Sequence, residues 1–127
     1  MEIRTTDTYS KPFEIIPCGN GTTYKIGQGL ILSSGVAALA TGTNKPQYIC
    51  QENKTGVTGE GVYVARVTED MTLEAPLSAA GTDLTVGSLV TIASDGMRLT
   101  ATTTSGVAEI IEFPEGKAEG AKVRFKL

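Results

Sequence analysis

Histidine and tryptophan are both missing from this 127-residue chain, and cysteine occurs only twice. Without an imidazole, no Ser-His-Asp or Cys-His catalytic arrangement can be assembled. A Ser-x-x-Lys spacing is missing as well, so the chain is expected not to be an enzyme. A zinc site would have to draw on two thiols and carboxylates alone, a poor ligand set. No run has the Asp-x-Asp-x-Asp-Gly spacing of a calcium loop, and neither a metal nor a cofactor is expected. Aromatic residues make up 6% of the chain, which argues against a face built to stack on sugars. Positive charge is also scarce. Eleven Lys and Arg stand against 14 Asp and Glu, for a net charge of −3, so there is no field to draw nucleic acid or an anionic membrane. No apolar run approaches the ~18 residues of a membrane span. The opening "MEIRTTDTYSKPFEIIPCG" lacks the basic start and continuous apolar core of a signal peptide. The expectation is a protein made and kept in a reducing cytosol. Cys18 and Cys50 lie far apart, without a Cys-x-x-Cys spacing, and are read as buried small apolar side chains. A disulfide between them is also compatible with the sequence.

What the chain does contain is glycine, 15 residues of it, together with many threonines. Turn chemistry recurs at short intervals in "CGNG", "SSG", "TGTNKP", "NKTGVTGEG", "AAGTD", "SDG" and "PEGKAEG". Between these turns lie short β-branched or alternating runs. In "AKVRFKL", for example, Ala121, Val123, Phe125 and Leu127 fall on one side and Lys122, Arg124 and Lys126 on the other. The basic side is read as a solvated strand face, with contact to an acidic partner as the alternative. This pattern predicts an all-β fold: a small single-domain β-barrel or sandwich of about seven or eight short strands. Helix is limited to one or two short pieces. One candidate is 68–83, which is also readable as a surface loop, and the other is "GVAEIIEF", which fits a strand equally well.

"KIGQGLILSSG" carries a Gly-x-Gly that invites a phosphate-loop reading. A dinucleotide fingerprint needs a third glycine, where Leu32 stands, and a following helix whose N-terminus faces the pyrophosphate. Neither is there, so the glycines are assigned to turn geometry. The dispersed carboxylates, among them Glu52, Glu60, Glu74, Glu109 and Glu112, are read as solvated surface.

Residues 1–23 differ from the rest: polar, Thr-rich and broken by Pro12 and Pro17, with one apolar patch at Phe13, Ile15 and Ile16. They are expected to form an extended N-terminal arm on a β domain spanning 24–127. Within that domain the chain resembles itself. "YKIGQGLILSSGVAALAT" can be laid on "LTVGSLVTIASDGMRLTAT", matching Gly27 to Gly87, Leu32 to Ile92, Gly35 to Gly96 and Leu39 to Leu99. The expected halves are 24–67 and 84–127, joined by 68–83 and related by a pseudo-twofold axis.

The phrases "KIGQGLILSSGVAALATGTNKPQYI" and "LTVGSLVTIASDGMRLTATTTSGVAEIIEF", with the closing "GAKVRFKL", resemble the capsid decoration proteins that stabilise the heads of tailed bacteriophages. The resemblance covers about residues 24–127 and consists of rhythms of glycine and small apolar residues, with no diagnostic residue to carry over. It implies a β-rich structural virion protein on the capsid exterior, made in the host bacterial cytoplasm. Its expected partner is the major capsid protein, with a homo-oligomer, a trimer favoured, as the working form. An arm carrying Phe13, Ile15 and Ile16 would contact the capsid by adding a strand to it. Two other readings stand beside this one: a β-sandwich adhesin-type binding module of a phage tail or surface, and a small barrel enzyme or assembly subunit using carboxylates.

Overall fold

Short apolar runs separated by glycine turns become twelve short strands among the described residues, with no helix. The structure is a computed structural model and describes residues 1–3 and 13–127. The strands are β1 (Glu2–Ile3), β2 (Glu14–Pro17), β3 (Thr23–Tyr24), β4 (Gly29–Ser33), β5 (Val36–Leu39) and β6 (Tyr48–Cys50). They continue with β7 (Lys54–Thr55), β8 (Gly61–Arg66), β9 (Leu73–Pro76), β10 (Leu89–Val90), β11 (Ala108–Glu112) and β12 (Lys122–Lys126). All are paired antiparallel in three sheets ordered β2-β8-β6-β4-β5, β1-β9-β12-β11-β10 and β3-β7. The architecture is all-β and sandwich-like; neither large sheet closes into a barrel. The strand count exceeds expectation because several strands are only two residues long.

The two large sheets share a topology. The order β2-β8-β6-β4 in residues 14–66 corresponds to β9-β12-β11-β10 in residues 73–126. In each half a single parallel bridge links the first strand's end to the last segment, Cys18 to Ala37 in one and Leu77 to Leu99 in the other. The hydrogen bonds around the entering turns match as well. Gly27 N–H donates to the Cys50 carbonyl at 2.9 Å and Gly87 N–H to that of Ile110 at 2.7 Å. Cys50 N–H donates to the Gln28 carbonyl at 2.8 Å and Ile110 N–H to that of Ser88 at 2.9 Å. The side chains of Gln28 and Ser88 each close their turn by accepting from Lys25 N–H and Thr85 N–H, both at 2.9 Å. Gly27 and Gly87 have φ of +93° and +95°, a region costly for any residue with a Cβ.

Two details of the sequence alignment need correction. Leu99 corresponds to Ala37, not Leu39, because each makes its half's parallel bridge. The turn at 93–98 is two residues longer than its counterpart at 33–36, and Asp95 fills it by accepting from Met97 N–H at 2.9 Å and Arg98 Nε at 2.7 Å. The segment 68–83 is also neither helix nor plain loop. It contains β9, which lies between β1 and β12, and Leu73 and Ala75 are buried there. "GVAEIIEF" takes the strand alternative, as β11.

The halves share cores unevenly. One cluster gathers Ile16, Cys18, Tyr24, Leu30, Val62 and Val64 inside the first half. The second gathers Leu73, Ile92, Leu99, Ile110, Val123 and Phe125, and it also takes in Ile49 from β6 of the first half. Further ties between halves are the Gly29 N–H donating to the Gly96 carbonyl at 2.8 Å and the antiparallel bridge between Gly42 and Ile92. Met1 reaches across both: its side chain enters the second core, and its ammonium, whose pKa burial lowers, donates to the Gly27 carbonyl.

Candidate interaction surface

The apolar residues singled out near the N-terminus do not share one environment. Residues 14–17 are not a free arm. They pair with β8 in the register Glu14–Val64, Ile15–Tyr63, Ile16–Val62 and Pro17–Gly61. Alternation then splits the patch: Ile16 is 6% exposed and belongs to the first core, whereas Ile15 is 60% exposed. Phe13 is exposed as well. The expectation that all three contact a partner is therefore corrected for Ile16, whose side chain packs inward. Residues 4–12 of the expected arm lie outside the described residues.

Sequence reasoning missed Tyr63. It stands directly opposite Ile15 on the outer face of β8 and is exposed. The Ile15 side chain also lies over Gly61, where a Cβ would come within 2.2 Å of it, so glycine is needed for the pair to lie flat. Phe13, Ile15 and Tyr63 thus form a small apolar surface at the edge of the sheet. On the other face of the same strands, Arg66 makes two hydrogen bonds to Glu14, at 2.7 and 2.8 Å, and lies 5.0 Å over the Tyr48 ring. Those hydrogen bonds hold the Glu14 carboxyl below its ordinary range.

The second half supplies an internal comparison. The positions of Ile15 and Tyr63 are taken there by Glu74 and Arg124, opposite each other on β9 and β12. Arg124 reaches Glu74 at 3.3 Å and Glu112 at 2.8 Å, while Lys122 lies 4.0 Å from Glu2. Lys122 and Arg124 on the basic face of β12 are therefore engaged by acids of their own sheet. The same fold carries ion pairs on one copy of this face and exposed hydrocarbon on the other.

The cysteines are free and buried in one core. Cys50 Sγ donates to the Glu52 carbonyl at 3.1 Å, and burial pushes its thiol pKa up, the opposite of what an activated nucleophile requires. Among the described residues, no three Cys, Asp or Glu side chains group so as to hold a metal, and no helix is long and apolar enough to cross a membrane. A groove of about 530 Å³ lies beside Leu32, Lys45, Tyr48 and Arg66, and a smaller one of about 370 Å³ beside Ile26, Glu74, Asp95 and Lys122. No protein-family model matches the chain, and no curated protein matches it in sequence.

Proposed function

We propose that this chain is a non-enzymatic structural protein of a bacteriophage head, binding the outside of the capsid and bracing neighbouring major-capsid subunits as a homo-oligomer, with a trimer favoured. The observation that carries the reading is the exposed Phe13–Ile15–Tyr63 surface, which stands where the other half has a charged pair. Leaving large apolar side chains in water where the fold accepts ions is the mark of a face meant to be covered. A cement protein needs complementarity and repeated weak contacts rather than reactive groups, since linked copies engaging several sites at once gain avidity without new chemistry. The resemblance of residues 24–127 to phage head proteins supplies the identity of the partner.

The test is co-sedimentation with expanded phage capsids. Phe13→Ser combined with Ile15→Asp should abolish capsid binding while leaving the melting transition in place, because both side chains face solvent. Undiminished binding by that variant would sink the assignment.

A further inference from the structure

The two halves are joined head to tail. On the first half, Gly27 and Gly29 are buried and together with Gly42 form a covered surface, while Ile26 beside them stays exposed like its counterpart Val86. Gly29 N–H donates to Gly96, Gly42 exchanges hydrogen bonds of 2.8 and 3.0 Å with Ile92, and Met1 lies against Gly27. The matching surface of the second half, Gly87 with Leu89 at the position of Gly29, is uncovered. Val86 is 65% exposed, Leu89 is exposed, and a Cβ built on Gly87 meets nothing within 4 Å. The receiving side repeats the contrast. Ile92–Gly96 of the second half is occupied by the first, while its counterpart, Leu32–Gly35 of the first half, is exposed, with open space around Gly35. A face-to-face join would have used both surfaces of each kind; this one uses one of each and leaves one of each.

We propose that a second copy of this chain completes the pattern, with Val86–Leu89 of one copy docking on Leu32–Gly35 of the next. The contact is heterologous, so it closes into a ring if the rotation permits and extends otherwise. It is more polar than the join inside the chain. Glu109, opposite Leu89, stands where the first half has Ile49, and Lys126, opposite Glu109, stands where it has Ala65. These charges keep the isolated copy's surface compatible with water, and Glu109 is complementary to Lys45, which lines the groove beside Leu32. Association is therefore reversible and dependent on concentration. This proposal rests on the correspondence between halves and does not depend on the capsid reading.

Sedimentation velocity over a concentration series tests it. The native chain should run above its 13.3 kDa monomer mass, and Val86→Asp with Leu89→Asp should weaken self-association by about tenfold or more with an unchanged melting transition. A second arm fixes the geometry: Leu32→Cys mixed with Val86→Cys, treated with a short bismaleimide, should give a mixed cross-linked dimer, because the native cysteines are buried. A native chain that stays monomeric, a variant that still associates, or cross-links joining Val86→Cys to itself in preference to the mixed pair would each overturn the proposal.

Discussion

One hydroxyl distinguishes the two halves at their seams. In the second half Ser78 N–H donates directly to the Leu99 carbonyl at 2.8 Å. In the first, the corresponding groups are held apart by the Tyr24 hydroxyl, which accepts from Gly19 N–H and donates to the Ala37 carbonyl, both at 2.7 Å. Leu84 occupies the place of Tyr24 in the other half and has nothing to insert. Tyr24 is buried, so Tyr24→Phe leaves a donor and an acceptor facing each other without a partner. The expected loss is about 1–3 kcal/mol, read by urea denaturation, and a smaller loss would mean that the seam closes to the direct bond seen at Ser78.

At the scale of the strand, β2 decides how its neighbours Ile15 and Ile16 respond to truncation. Ile16→Ala opens the first core and should cost about 2–5 kcal/mol, whereas Ile15→Ala should stay within about 0.5 kcal/mol, as for a surface side chain. Equal losses measured by thermal melting would contradict the register. Strand β12 was legible in the sequence because its alternation is uninterrupted and its core side chains, Val123 and Phe125, are fully buried. Strands β2 and β9 were not, since each is brief, carries a glutamate and ends on proline, the residue that ordinarily argues against a strand. A signal did exist: "EIIPC" and "EAPL" place Pro17 and Pro76 alike, one residue before the bridging Cys18 and Leu77. Ile15 and Phe13 were readable as exposed hydrocarbon, but Tyr63 was not, because only cross-strand register brings it opposite Ile15. The surface comparison between halves likewise needed the pairing of Glu74 with Arg124, which are 50 residues apart.

Across the whole molecule, Ile49 placed in the other half's core and the bridge between Gly42 and Ile92 couple the halves. Unfolding should be one transition, with loss of β signal and exposure of the two buried thiols coincident. A thiol reagent reacting before that transition would refute the coupling. The thiol of Cys50 sets a pH dependence. Burial raises the pKa of Cys50 in the folded state, so its contribution is complete below the ordinary thiol value of about 8.5 and is lost as pH rises through the folded value. Denaturation midpoints should therefore decline in alkali, and Cys50→Ala should flatten that decline.

The Tyr24 seam also makes the protein its own optical probe. Because the chain has no tryptophan, no indole takes up tyrosine emission, and the phenol caught between Gly19 and Ala37 shares its proton with a carbonyl while its ring is shut away from water. Opening the seam changes both conditions at once, so ultraviolet emission compared between the native chain and Tyr24→Phe isolates the moment at which the first half's sheet parts.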